Sequence, residues 1–435
     1  MLRDAEVIVV GGGPAGSTTA FFLARAGCDV LLLDRAKFPR DKPCSEYLSP
    51  QASRLLHEMD ALDALESGHS ARLTGMRVHS PDGTTIQGSF AANTGFRAFR
   101  NYGIAVRRPI LDAILLARAQ RAGARVREGV DVRDLVRDQS GRIVGVAGRD
   151  EDQQPVRLHA PLVVGADGLR SVVARRTGLG AHGRFPRRLA LVRHHRGIKH
   201  DADVGDMHVF DGGYAGFAPV GDGLTNVAVV IPTLLSHAFG NDRDAIMNSL
   251  LAANRSTAER IQGSEQITPT RAVGPFNWRA RTAWTPGAVL VGDSADFFDP
   301  FTGEGMYAAM RGAELLATYA FEAARAQDTR RSNVALAAYD RCRRHEFRGK
   351  WAVERAIAMA VASPTLINRA ARALSRRPEL ADTLVGVTGD FVPASEVLRP
   401  RYILGLLAAA LLPTRGGLSA PIGAHGIRLQ GADRP

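Results

Sequence analysis

The chain has 435 residues, 45% of hydrophobic type and 23% charged, enough apolar material for a large buried core and too much for a disordered chain. Lys and Arg number 56 against 44 Asp and Glu, a net charge of +12, but neither zinc spacing nor aromatic-interleaved basic stretches accompany it, so no nucleic acid is expected as partner. Three cysteines, Cys28, Cys44 and Cys342, exclude a disulfide framework in so long a chain and point to a reducing, cytoplasmic compartment.

Arg3, Asp4 and Glu6 lead directly into apolar residues, a pattern unlike a signal peptide, so no export is expected. Glu6 to Val10 predicts a strand, Gly11 to Gly16 a turn, Ser17 to Arg25 a helix closed by Gly27, and Asp29 to Leu33 a second strand ending at Asp34. Gly11, Gly13 and Gly16 have the spacing of a dinucleotide-binding turn, with Pro14 and Ala15 inside it. Gly11 permits the tight turn, Gly13 lets a pyrophosphate approach the backbone, and Gly16 lets helix and strand pack closely. Asp34 is placed to accept from ribose hydroxyls, with Arg35 beside it.

Further helices are predicted over Pro50 to Leu65 and Pro109 to Ala122, and β-structure over Arg125 to Val136. Pro161 to Val164 reads as a strand feeding Gly165-Ala166-Asp167-Gly168. Short strand-like pieces between Leu189 and Ile231, including Met207 to Phe210 and Asn226 to Ile231, predict an inserted antiparallel sheet. Ala288 to Val291 is a strand ending in Gly292-Asp293, and a long helix starts near Gly305 and runs through Phe321. Between Arg325 and Arg377 stand 13 Arg or Lys against Asp328, Asp340, Glu346 and Glu354. This local excess, with the apolar stretch Ile403 to Leu412, gives an expectation of peripheral contact with an anionic membrane face. The stretch is too short to span a bilayer.

Three of these motifs together resemble the flavoproteins of the p-hydroxybenzoate hydroxylase superfamily, in the branch of the geranylgeranyl reductases. They are Gly11 to Gly16 with Asp34; Asp167-Gly168-Leu169-Arg170-Ser171 with Arg175, similar to DGxxSxxR; and Gly292-Asp293 continuing into Asp299-Pro300-Phe301-Thr302-Gly303-Glu304-Gly305. The resemblance covers roughly residues 5 to 320. It implies FAD as cofactor, with Asp293 on a ribityl hydroxyl and the helix start at Gly303, Gly305 and Met306 facing the flavin pyrimidine ring. It further implies a cofactor contact from Arg108, an adenine contact from the Val132 amide, and a pairing of Asp167 with Arg175. The implied fold is α/β: a Rossmann-like, three-layer FAD-binding domain (1–75, 103–180 and 270–325), an inserted antiparallel β-sheet substrate domain (76–102 and 181–269), a helical basic C-terminal region (326–412) and a tail (413–435).

Lys42-Pro43-Cys44-Ser45-Glu46-Tyr47-Leu48-Ser49-Pro50 resembles the reductases' K-x-C-G-x-x-L-x-P loop over the flavin edge, with Ser45 in place of glycine. Cys44, Glu46 and Tyr47 are therefore the candidate catalytic residues, and Cys44 and Ser45 also candidate flavin contacts. Tyr214 to Val220 aligns with the prenyl reductases' YxWxFPK motif but lacks its tryptophan and lysine, and Gly216 in the indole's place predicts a wider pocket. The expected function is an FAD-dependent oxidoreductase that takes electrons from NADPH or NADH and reduces a C=C bond of an apolar, lipid-like substrate: an isoprenoid, quinone or polyketide. Two alternatives stay open: a monooxygenase of a phenolic or polyketide lipid, and a prenyl-lipid carrier without redox chemistry. Halogenation is not expected, since Trp278, Trp284 and Trp351 are scattered and no lysine lies between Lys42 and Lys199. No metal site and no oligomeric state are predicted.

Overall fold

Aliphatic runs without polar alternation suit parallel strands covered on both faces. In the computed structural model, which describes residues 3–183, 187–200, 203–236 and 242–411, two such runs form β1 (Val7–Val10) and β2 (Val30–Leu33), buried throughout. They pair in parallel, Val7 opposite Val30. Helix α1 (Pro14–Arg25) connects them and begins three residues before the predicted Ser17, because Pro14 fits the first helical turn, where no N–H is needed. Helix α2 (Arg108–Arg121) packs beside α1. Strand β3 (Leu162–Gly165) flanks β1 on its other side, Val7 opposite Leu162.

The sheet has six strands in the order Trp284–Thr285, Ala288–Leu290, β3, β1, β2 and Arg125–Arg127. Only the Trp284–Thr285 edge runs antiparallel. The β-structure predicted from Arg125 to Val136 is two strands: Arg125–Arg127 ends this sheet, and Asp131–Arg137 starts a three-stranded antiparallel layer with Ile143–Arg149 and Pro155–His159. Gly129, at φ +73°, makes the break. The predicted helix from Pro50 to Leu65 is likewise two short ones, Ala52–Glu58 and Leu62–Glu66, parted where Asp60 turns to φ +57°.

The inserted part is an eight-stranded sheet built on β4 (Arg188–Arg196), β5 (Val204–Phe210), β6 (Gly213–Pro219) and β7 (Leu224–Pro232). It is completed by Gly75–His79 and Thr85–Ser89 beyond β5 and by two short strands against β4, Glu265–Gln266 and Arg271–Val273. One strand pair breaks the antiparallel pattern: β5 and Gly75–His79 run parallel. Helix α3 (Gly305–Ala324) returns to pack on α1, and α4 (Thr329–Val361) packs on α3. Helices Pro364–Arg376 and Pro378–Thr388 cover the hairpin end of the large sheet, and Pro400–Leu411 exposes Ile403, Leu404 and Leu407. No helix among the described residues is long and apolar enough to cross a membrane. The predicted tail at 413–435, and Leu412 before it, lie outside the described residues.

An ion pair ties the first strand to the end of α3. Glu6 receives Arg325 at 2.9 and 3.0 Å and the Asp29 amide at 2.8 Å, and the Arg325 guanidinium holds its carboxyl down to about 2 from the usual 4.5. A carboxylate depressed by folding stabilises the folded state above its unfolded pKa and loses that contribution as pH falls through the folded value. Glu6→Gln is therefore expected to lower the urea midpoint at pH 7. The gap from wild type should close as the pH falls from 4.5 toward 2.

Candidate functional site

The glycine turn is forced by space. A Cβ on Gly16 would sit 1.7 Å from the Gly11 carbonyl oxygen, and one on Gly11, at φ +101°, would sit 2.5 Å from the Ala166 oxygen. Helix α1 then starts at Gly13 without a side-chain cap, which leaves N–H groups at its positive end for an anion. Asp34 accepts from the Gly12 amide at 2.7 Å and the Ala36 amide at 2.8 Å, so it braces the turn with lone pairs remaining for hydroxyl donors. Arg35 is exposed. The Val130 amide donates to the Asp34 carbonyl at 2.9 Å, which sets the buried Val132 near the same end, outside the cavity wall described below.

Three cations converge beside this turn. Arg108 lies buried at the head of α2 with Nε and Nη2 on Asp112 at 2.9 and 2.8 Å. Arg40 reaches the same carboxylate at 2.8 Å. A Cβ at Gly13 would have the Arg40 and Arg108 guanidinium ends at 3.4 and 3.7 Å, so the bare glycine opens a cradle between two cations and a helix N-terminus. Lys42 joins them, its ammonium pushed below its usual range by burial and by Arg108. Asp293, in the turn after Ala288–Leu290, is pushed up by burial against the pull of Lys42 and Arg108. Cations of this number around backbone amides fit the diphosphate of FAD, and Asp293 fits its sugar-like chain.

From this end a cavity of about 220 Å³ extends under the large sheet. Gly13, Pro14, Ala15, Lys42, Arg108 and Asp293 line its polar end; Met76, Val192, Met207, Val230, Phe276 and Phe301 line its apolar body. Gly303, Gly305 and Met306 line it where α3 starts, also without a side-chain cap. Gly303 is at φ +72°, and a Cβ there would come within 2.9 Å of the Tyr47 ring. Gly216 does not widen the cavity as the sequence implied: Met207 Sδ lies 3.0 Å from where its Cβ would stand and takes up that space.

The three candidate catalytic residues divide. Cys44 and Tyr47 stand in the cavity wall with Ser45, but Glu46 does not. Cys44 Sγ accepts from the Glu46 amide at 3.4 Å and is reached by the Arg108 side chain. Tyr47 stacks on Phe90 and has a buried hydroxyl without a partner; burial pushes the phenol well above its usual range, so it stays neutral. Glu46 points behind the loop, where its carboxylate accepts from the Arg108 amide at 2.9 Å, His194 Nε2 at 2.7 Å and Asn226 Nδ2 at 3.0 Å. Asn226 also donates to the Cys44 carbonyl at 2.9 Å. Glu46 is thus a positioning residue.

Asp167 does not pair with Arg175. Its carboxylate accepts from Ser171 Oγ and from the Val172 and Val173 amides, capping helix Val172–Thr177, while Arg175 is exposed on the far side of that turn. Beyond the predicted set, Arg40, Lys42, Asp112, His194 and Asn226 belong to the site. Asp112 had a signal, since Arg108 and Asp112 are four apart on one helix. His194 and Asn226 had none.

Glu46→Gln replaces one acceptor oxygen by a donor facing donors. It is expected to cost about 2–3 kcal/mol of stability and to lower the flavin retained through purification, read together as urea midpoint and absorbance ratio. Wild-type stability with wild-type flavin content would contradict the assigned role.

The model for the FAD binding domain matches residues 4–350. Digeranylgeranylglycerophospholipid reductase 1 of Methanopyrus kandleri is 30% identical over 370 residues, which cover 82% of this chain and 90% of that protein. Menaquinone reductase of Mycobacterium tuberculosis is 30% identical over 317 residues, 70% of this chain and 73% of that protein. Conditioned medium factor receptor 1 of Dictyostelium discoideum is 29% identical over 330 residues, 71% of this chain, but the match spans 62% of that protein's length. Among solved structures, the flavin-dependent brominase Bmp2 superposes with a TM-score of 0.78 over 92% of this chain and 98% of that one, at 17% identity. At that identity the likeness speaks for the fold alone. Halogenases, a monooxygenase and a geranylgeranyl reductase-like protein share the fold, so the architecture does not select the reaction. The matched domain and the cofactor-shaped end of the cavity lead to one statement: this chain belongs to the FAD-binding flavoprotein family of the p-hydroxybenzoate hydroxylase type and is an FAD-dependent oxidoreductase.

Proposed function

We propose that the chain reduces a carbon–carbon double bond in a hydrophobic, lipid-like substrate, with NADPH or NADH as electron donor. The observation that carries this reading is the apolar cavity, which opens from the cation cluster and runs between the large sheet and α4. Two relatives at 30% identity carry reductase names, one for a phospholipid and one for menaquinone. Cys44 lies where the loop resembling the reductases' K-x-C segment meets the cavity.

Bound FAD would supply the hydride. The protein's own part is to hold and surround the reacting groups. Arg40, Lys42 and Arg108 balance the diphosphate charge, and the uncapped start of α3 turns its N–H groups toward negative charge arising nearby. Tyr47 and Cys44 shape the near wall as neutral or weakly polar groups. Tyr214, fixed to Asp299 at 2.7 Å and edge-on to Phe301 at 4.9 Å, closes the wall toward the sheet. Phe276, Phe297 and Phe301 exclude water from the reacting end.

Accurate-mass comparison of lipid extracts from cells with and without the gene tests this reading. Pairs separated by two hydrogens are expected, the more saturated member vanishing on deletion. Pairs separated by one oxygen would make the chain a hydroxylase instead.

A further inference from the structure

Helix α4 presents one face to the cavity: Arg343, Phe347, Lys350, Trp351 and Glu354, at the three- and four-residue spacing that places side chains on one side of a helix. Lys350 fastens this face to the head of α3. Its ammonium lies 2.8 Å from Glu304, the residue before Gly305, and also contacts Asp390. Glu354, one turn further, lines the cavity near that junction.

The carboxyls of the cavity wall differ in what they hold. Asp206 binds Arg260 and His79; Asp296 binds Arg343 and the Trp351 indole N–H; Asp299 binds Arg188 and Tyr214. Asp293 stands at the cofactor end. Away from that end, Glu354 is the cavity-wall carboxyl with neither a hydrogen bond nor an ion pair among the described residues, as Asp293 is at it. A carboxylate without a partner beside other acids is costly, whereas a neutral carboxylic acid there is a hydrogen-bond donor awaiting an acceptor.

We propose that Glu354 is the acid of this cavity, donating a hydrogen bond and then a proton to the oxygen of a conjugated ketone carried by the apolar substrate. The proposal rests on the reductase reading and narrows it from alkenes in general to α,β-unsaturated carbonyl compounds. The groups facing Glu354 favour this state. Burial comes first, then the negative charge of Glu304 at the head of α3, with Asp296 and Asp299 from the loop before it; Lys350 on α4 opposes them, and the net direction is well above the usual carboxyl range. Bound, reduced FAD would supply the hydride that forms the C–H bond at the β-carbon. The C=C electron pair moves to join the α-carbon to the carbonyl carbon, and the carbonyl pair takes the Glu354 proton. The resulting enol tautomerises to the saturated ketone, and the carboxylate regains its proton from water.

The test uses flavin-loaded enzyme and 3-decen-2-one as probe. Infrared difference spectra of the oxidised enzyme are expected to show a protonated-carboxyl band that is missing in Glu354→Gln and moves to lower frequency when the probe binds. Glu354→Gln, which keeps size and a donor, should retain flavin content and thermal midpoint, bind the probe within a few-fold of wild type, and lose about 100- to 1,000-fold in kcat for 2-decanone. Glu354→Asp should recover part of that loss. A band unchanged in the Gln variant or unmoved by the probe, or a Gln variant as fast as wild type, overturns the Glu354 proposal even where wild type saturates the probe. A band that shifts on binding while wild type leaves the probe intact supports the hydrogen bond and overturns the reductase reading instead.

Discussion

The site depends on one buried carboxylate. Glu46 is 1% exposed and sits at φ +60°, a backbone state unfavourable for a glutamate. Its three acceptor contacts come from three places: the amide at the head of α2, His194 on β4 and Asn226 on β7. Helix α2 belongs to the cofactor part and the two strands to the large sheet, so a single side chain pins the Lys42–Ser45 loop at the joint between them. The Glu46 amide meanwhile holds Cys44 Sγ. The loop's strain is met by charge-assisted hydrogen bonds, two of which, from His194 and Asn226, join the two parts.

Around that joint the charges are sorted by task. Arg40, Lys42 and Arg108 face Asp34, Asp112 and Asp293, an arrangement suited to receiving two phosphate charges beside a helix N-terminus. The wall also carries the acids Asp296, Asp299 and Glu354, with Glu304 behind it, and all but Glu354 are tied to a cation. Between the two ends lie aromatic and aliphatic side chains. The cavity wall therefore combines a cationic cluster, an apolar body and, from α4, the carboxyl of Glu354, an arrangement compatible with the proposed reduction of an apolar substrate.

What the sequence made legible was local. The glycine turn, its strand and its acid lie within about thirty residues, and each glycine answers a steric demand of its neighbours. Arg108 and Asp112 are one helical turn apart. The Glu46 joint was illegible because His194 and Asn226 are 148 and 180 residues away, and a histidine on a strand carries no mark of its partner. The break at Asp60 was missed because αL geometry in an aspartate leaves apolar periodicity intact on both sides. Gly216 misled for a related reason: the space freed by a missing side chain was filled by Met207 from the adjacent strand. Asp167 was paired with the wrong partner because its carboxylate caps the next helix rather than meeting Arg175, the partner that the family resemblance implied. The α4 wall with Glu354 lies past the last motif, where spacing alone shows only a basic helix.

The central claim is that electrons leave this site directly into an apolar substrate rather than through oxygen. Its most direct measurement is anaerobic mixing of photoreduced, flavin-loaded enzyme with lipid extract from cells lacking the gene, followed by flavin absorbance and mass analysis. Reoxidation without oxygen, with one substrate gaining two hydrogens per flavin, is the result predicted. Flavin that stays reduced until oxygen is admitted, followed by an oxygenated product, would contradict it.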